Sequence, residues 1–358
     1  MPLPSLQPDA TPDADLDRET GAIQSALGVF PIPGETLLLV RGADAAVFLG
    51  GLTTNHVKAL AEGRLHADLL CGNKGKILHP LEVARLPGGQ YVLITEPSDL
   101  PRVAAHLEAY HVREDVEIGR LPLGRVELLG PAAAAALAAL GLDPRQTVGT
   151  YRGGPLIVFE SPLAAWPRRV ALLPQEHLEA FAGDLLAALP GARRVSPEAA
   201  EEARIRAGLP RFGQDYDDGF LPAEAALHDR LSFNKGCYVG QEVHARLHWR
   251  GKVNRKLMAV SLPADAAGLT PGAPLHQGGQ PVAALTSVAR LPVAGTRAAI
   301  ALVRTQELKG TEGLPALSLT PDGDAVARLR PLVTDLGAGA ASAAAGASGA
   351  PHAGATAP

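Results

Sequence analysis

The chain has 358 residues, 46% of them apolar and only 4% aromatic, with a formal net charge of −4. That length exceeds one ordinary core and suits two or three domains, and the acidic balance argues against a globally basic nucleic-acid binder. With Cys71 and Cys237 as its two cysteines, the chain has neither a disulfide framework nor a four-cysteine zinc site, which fits a reducing cytosol.

The start, Met1 to Asp17, is rich in Pro and Asp and lacks the basic and apolar regions of a secretory signal. No run approaches the roughly 18 apolar residues of a membrane span, so a soluble, cytoplasmic protein without membrane contact is expected. Residues 1–20 read as disordered. Leu37 to Val40 read as a buried strand, and Asp44 as the N-cap of a helix carrying Ala46, Val47, Phe48 and Leu49, stopped by Gly50 and Gly51. Ala67 to Cys71 and Lys76 to Leu78 flank Gly72-Asn73-Lys74-Gly75, which is most simply a hairpin; the spacing of a phosphate loop is missing. Leu81 to Val83 and Tyr91 to Ile94 form strands across Pro87-Gly88-Gly89. A helix with Leu100, Val103, Leu107 and Tyr110 on one face follows, and Val112 to Ile118 returns to a strand. This is an α+β pattern built on largely antiparallel sheet. Pro131 to Leu140 and Gln175 to Leu189 are helices of a second unit, and Val253 to Leu332 reads as short β pieces of a small all-β domain. The expected units are 21–125, 126–245 and 246–333, with 334–358 an Ala/Gly-rich disordered tail.

The segment richest in chemistry is Lys235-Gly236-Cys237-Tyr238-Val239-Gly240-Gln241-Glu242. A thiol reacts as its thiolate, which neighbouring cations favour. Lys235 precedes Cys237 by two residues, and Arg246, Arg250, Lys252, Arg255 and Lys256 follow without a carboxylate between Val243 and Lys256. Gly236 and Gly240 permit unusual backbone and close approach. Tyr238 offers a flat face and a hydroxyl, and Gln241 and Glu242 add directed hydrogen bonds. An inert cysteine in a glycine-rich turn is the plainer alternative, and Cys71, ending an apolar strand, fits a buried structural thiol. After Glu242 the pattern suits either a strand or a helix. Glu201 to Gly213 reads as a capped helix containing Arg204, stopped by Gly208 and Pro210. The acids at 214–218 lack the spacing of a calcium loop. Glu224 is either a solvated loop acid or a carboxylate able to accept paired donors from an aminopyrimidine edge. His244 and His248, at i and i+4, have no third ligand nearby, so no metal site is expected.

The octapeptide at 235–242, with Ala203 to Gly213 and Leu221-Pro222-Ala223-Glu224, resembles the folate-binding YgfZ family, relatives of the aminomethyltransferase (T-protein) of the glycine cleavage system. Phe48 to Asn55 and Gly75 to Leu78 are also similar to their counterparts there, and the resemblance spans about residues 30–330. It implies a three-domain ring around a central hole that holds tetrahydrofolate or a derivative. It also implies support of iron–sulfur cluster assembly or repair, including in tRNA-modifying radical enzymes, with iron–sulfur enzymes or cluster-assembly proteins as partners. Carried over by position, Cys237 and Lys235 are the chemically active pair, and Asn55, Arg204, Glu224, Tyr238, Gln241 and Glu242 lie on the folate side. Glu224 or Glu242 would read the amino edge of the pterin, and Arg204 or the cations at 246–256 would meet the glutamate tail. Two departures stand out. The paired aspartates of T-proteins are replaced by His79 and Pro80, and their Thr-Gly-Glu segment is not visible between Gly149 and Glu160. The expectation is therefore an accessory protein without conventional turnover. A folate-dependent aminomethyltransferase is the alternative, and an anion- or RNA-binding module ranks last; direct nucleic-acid binding is not expected.

Overall fold

A computed structural model describes residues 12–161, 165–266, 269–308 and 314–335. Three β-sheets organise them. The first is antiparallel, with strands in the spatial order Leu65–Cys71, Ile77–Arg85, Tyr91–Ile94, Leu37–Arg41 and Glu117–Arg120. The second runs Arg193–Arg194, Gly28–Ile32, Gly124–Leu129, Arg168–Leu173, Gly154–Ser161 and Val148–Tyr151. It too is antiparallel, except where Gly28–Ile32 meets Arg193–Arg194. The third closes into a barrel of Lys256–Pro263, Thr296–Val303, Gln280–Val288, Pro274–Gln277, Ala316–Ser318 and Ala325–Arg330. The expected α+β class with a small C-terminal barrel is the observed one.

Strand alternation sets the layers. On Ile77–Arg85, Leu81 and Val83 enter a core beneath the helices Ala45–Leu52 and Leu100–Tyr110. Ala84 points the other way, joining Leu65 and Val92 against Phe159, Val170 and Leu172 of the second sheet. The helices Ala133–Ala139 and Leu178–Ala188 cover that sheet's far face, so the two sheets lie face to face between helical layers. Arg168 interrupts the apolar contact between sheets, donating to Glu82 at 3.0 Å and to Glu127 at 2.8 and 2.9 Å. Burial alone would lift the Glu127 carboxyl, but Arg168 and Arg125 hold it at about 2. The barrel joins the rest through a separate core, where Tyr216, Phe220 and Leu227 pack between Leu69, Cys71 and Ile77 of the first sheet and Leu257 and Ile300 of the barrel.

Several local expectations are corrected. The expected disorder of residues 1–20 gives way to a helix, Asp13–Ser25, because Leu16 and Ile23 fall on one face and pack against Val195, Ala199 and Ala203. Residues 1–11 of that segment lie outside the described residues. So do 336–358 of the expected tail, whereas Thr334 is buried and Asp335 binds Lys256 at 2.7 Å. The boundary at 125 is not respected by the sheets: Gly28–Ile32 pairs with Gly124–Leu129, which puts Val29 in the second core. The boundary at 246 falls inside the helix Gln241–Arg250. Asp44 is the N-cap residue as expected, but its side chain makes no capping bond; its Oδ2 accepts instead from the Asp115 N–H at 2.9 Å. That helix runs through both glycines to Leu52, carried by the burial of Phe48, Leu49 and Leu52. The strand expected at 112–118 starts at Glu117, since the Glu114 carboxylate accepts the N–H groups of Val112 and Arg113 and bends the chain there.

Candidate functional site

The foundation of the Cys237 loop is a buried acid. Asp68, fully enclosed on the strand Leu65–Cys71, accepts on Oδ1 the N–H groups of Thr54 at 2.7 Å, Asn55 at 2.8 Å and Leu69 at 2.8 Å, and the Thr54 hydroxyl at 3.0 Å. This fixes the turn after the helix Ala45–Leu52 so that the carbonyls of Thr53 and Asn55 converge. The Lys235 ammonium fills that convergence, donating to Thr53 O at 2.5 Å and Asn55 O at 2.8 Å. It also lies 4.7 Å from the centroid of the Tyr238 ring. Burial lowers the Lys235 pKa to about 8, against the opposing pull of Asp68.

The other flank of Cys237 is pinned through Tyr238. Its hydroxyl meets His244 Nδ1 at 3.2 Å, and His244 Nε2 meets the Gly75 carbonyl at 2.8 Å. A carbonyl only accepts, so Nε2 carries the hydrogen and Nδ1 accepts from the tyrosine. Burial lowers the His244 pKa, consistent with this neutral tautomer, and raises that of Tyr238. Gln241 Oε1 accepts the Tyr238 N–H at 3.1 Å, and the Val239 N–H donates to Gly51 O at 3.2 Å. Gly240 has φ +85°, and a Cβ there would stand 2.7 Å from Gly72 O, so the loop lies directly on the hairpin turn 72–75. Between these anchors Cys237 is exposed and free, whereas Cys71 is buried and its pKa is driven up by desolvation and by Asp68. Among the described residues no three His, Cys, Asp or Glu side chains converge to hold a metal ion.

The structure therefore brings Lys235, Cys237, Tyr238, Gln241 and Asn55 together, and it does not bring Arg204 or Glu224 to them. All five guanidinium N–H groups of Arg204 are used within the chain: by Glu201 through both Nε and Nη2, by Leu209 O at 3.0 Å, by Asp215 at 2.8 Å and by Ser287 at 2.9 Å. Arg204 thus joins its helix to the barrel and leaves no donor for a glutamate tail. Glu224 takes the Leu221 N–H at 2.8 Å and Arg255 at 3.1 Å, with Lys76 at 3.6 Å, and its pKa stays low although burial opposes this. Glu242 is exposed and pairs with Arg246 at 3.1 Å. The Asn55 amide donates inward, to Ala67 O at 3.0 Å and Asp229 O at 3.3 Å.

The sequence reading missed Asp68, whose one signal was a lone carboxylate in the apolar run 67–71. It also missed Asp229 and Arg230. The Thr54 hydroxyl donates to Arg230 O at 2.7 Å, which ties this pair to the same turn. Asp229 Oδ1 and Arg230 Nε are buried without a hydrogen-bond partner. Burial raises the Asp229 pKa against the pull of the neighbouring Arg230, and for Arg230 burial is outweighed by Tyr216, Asp229, Glu82 and Asp68, which raise its pKa.

The pattern of the GCVT N-terminal domain matches residues 7–148. Over 308 residues the chain is 30% identical to the human protein named iron-sulfur cluster assembly factor IBA57, mitochondrial, covering 80% of each. It is 26% identical to the aminomethyltransferase of Exiguobacterium sibiricum over 307 residues, 82% of each. The fold is that of the glycine cleavage system aminomethyltransferase T from Bartonella henselae, with a TM-score of 0.72 at 23% identity, covering 88% of this chain and 87% of that one. No helix among the described residues is long and apolar enough to cross a membrane. A pinned loop with a free thiol, carried on a T-protein fold with this degree of identity to human IBA57, leads to one assignment: the chain belongs to the GCVT-domain family that includes iron–sulfur cluster assembly factor IBA57 and the aminomethyltransferases.

Proposed function

We propose that this protein binds tetrahydrofolate or a derivative and supports iron–sulfur cluster assembly or repair through Cys237, as a member of the YgfZ branch of its family. Its partners are iron–sulfur enzymes, tRNA-modifying radical enzymes among them, or cluster-assembly proteins of the cytoplasm. The observation that carries this reading is the contrast between the two thiols: Cys71 is buried, and Cys237 stands free at the apex of a loop anchored on both sides. That arrangement presents a thiol to another macromolecule at fixed position, which favours chemistry in a complex over turnover of a small substrate. A Cys237→Ser chain should fail to support iron–sulfur enzyme activity in cells lacking the native protein; full activity would remove Cys237 from the mechanism.

For folate, the fit rests on Asp229 Oδ1 and Arg230 Nε, a buried acceptor and donor that find no hydrogen-bond partner among the described residues. A pterin presents alternating donors and acceptors along its edge, so these two groups would hold it, in place of Arg204 and Glu224. Tetrahydrofolate supplies, when bound, a nitrogen that carries one-carbon units. Calorimetric titration with tetrahydrofolate should give binding heat, and none at millimolar ligand would end the folate role.

An aminomethyltransferase is the second reading, favoured by the names of relatives such as that of Exiguobacterium sibiricum. Against it, His79 replaces an acid and faces the helix Leu100–Tyr110, with Nδ1 3.7 Å from Asp99 and its pKa lowered by burial. Incubation with glycine-cleavage partners and tetrahydrofolate decides it by the formation of methylene-tetrahydrofolate.

A further inference from the structure

Between the helix Gln241–Arg250 and the barrel opens a cavity of 390 Å³, which shares His244 with the Cys237 loop. Its size falls in the range of roughly 300–1,000 Å³ usual for small-molecule sites. Two aromatic rings line it: Phe233 and His248 stack on each other at 3.9 Å between centroids with 19° between planes, and Trp249, outside the lining, meets the edge of His248 at 4.7 Å. The lining also carries Lys252, Asn254, Lys256 and Thr305, and among the described residues no Asp or Glu lines the cavity.

The charges are unevenly committed. Lys256 and His228 are both held by Asp335, at 2.7 and 2.6 Å. Lys252 and Arg250 are exposed and enter no ion pair among the described residues. Trp249 is 72% exposed, a large indole left in water beside these cations. A flat apolar wall, neutral donors and acceptors within reach, and unpaired cations at the rim call for a planar ring that carries an anion. An aliphatic acid would leave the aromatic wall uncovered, and a neutral ring would leave the lysine unused.

We infer that this cavity is a nucleotide site, taking the base of a nucleoside phosphate against Phe233 and His248 with its phosphate on Lys252. The ligand is either a free mononucleotide or one residue of a single-stranded RNA, since base stacking on aromatic side chains with basic residues along the backbone serves both. The inference does not depend on the pterin contacts, because neither Asp229 nor Arg230 lines the cavity; Lys252 and Lys256, which do, belong to the cations the resemblance offers to a glutamate tail.

The full-length protein is titrated with AMP, with CMP and with octauridylate, following calorimetric heat and Trp249 fluorescence, with Trp249→Phe as the optical control. At least one of these ligands is expected to bind. Saturation by a mononucleotide assigns a free nucleotide, and tighter binding of octauridylate assigns RNA. His248→Ala should weaken binding about tenfold. Lys252→Gln, an exposed change that leaves the melting temperature in place, should lower the slope of log affinity against log salt for octauridylate by about 1. The inference is overturned if none of the three ligands binds at millimolar concentration, if both substitutions leave affinity unchanged, or if p-aminobenzoyl-glutamate occupies the cavity and the nucleotides do not.

Discussion

Replacing Arg204 by Met separates a structural role from a folate contact at that position. The guanidinium satisfies Asp215, whose side chain is fully buried, at 2.8 Å, and Glu201, which is partly exposed and also bound by Arg211 at 2.9 Å. Removing one partner of a buried ion pair costs about 3–5 kcal/mol. Asp215 would retain the Thr286 hydroxyl at 2.5 Å, the Ser287 hydroxyl at 2.7 Å and the Arg211 N–H at 2.9 Å, which places the expected loss near the lower end, about 3 kcal/mol. Met fills much of the same volume, so a cavity adds little. Urea unfolding followed by circular dichroism measures the loss. The double variant Arg204→Met with Asp215→Asn should recover about 1–2 kcal/mol relative to the sum of the single changes, because the stranded charge is gone. Tetrahydrofolate affinity of the folded variant should match wild type within about twofold. The reasoning fails if Arg204→Met costs less than about 1 kcal/mol while folate affinity falls by tenfold or more.

Three other outcomes follow from the same contacts. A thiol reagent should titrate Cys237 alone in the native protein and both cysteines after unfolding, given that Cys71 is buried; fast reaction of both in the native state would contradict the burial. Glu127, held at about 2 when folded and titrating near 4.3 when unfolded, contributes stability that is complete above about pH 4.3 and is lost as pH falls toward 2. By that linkage Glu127→Gln should cost about 3 kcal/mol at pH 7, and its gap to wild type should close in acid; a gap independent of pH refutes the assignment. Gly240→Ala should cost about 2–3 kcal/mol, from a left-handed backbone and a Cβ against Gly72 O, and should change the rate of Cys237 alkylation. An unchanged rate would mean the loop is not held by that contact.

What was legible in the sequence was local. The hairpin across Gly72 to Gly75, the stop of a helix at Gly208 and the β character of the C-terminal unit rest on periodicity and turn chemistry within a few residues of chain, although the strands expected at 76–78 and 81–83 are one, Ile77–Arg85, and the helix expected from Glu201 starts at Pro197. The Cys237 segment was legible as chemistry for the same reason. Partners distant in sequence were not legible. Arg204 and Glu224 were recognisable as charges, but their commitments to Ser287 and Arg255 lie far away along the chain. The helix at Asp13 was hidden by its Pro- and Asp-rich surroundings, although Leu16, Thr20 and Ile23 are spaced as one face.

The glycines show how the two levels meet. Gly240 is required twice over: its φ is positive, and a Cβ there would stand 2.7 Å from Gly72 O and 3.0 Å from Gly75 Cα. The first requirement belongs to a turn and is readable in one segment. The second belongs to a pair of segments separated by more than half the described chain, each glycine-rich because of the other. Gly75 in turn carries the carbonyl that orients His244, and His244 orients Tyr238 beside the thiol. A substitution in the hairpin turn should therefore alter the reactivity of Cys237 as surely as one in its own loop, although nothing in either segment alone implies the connection.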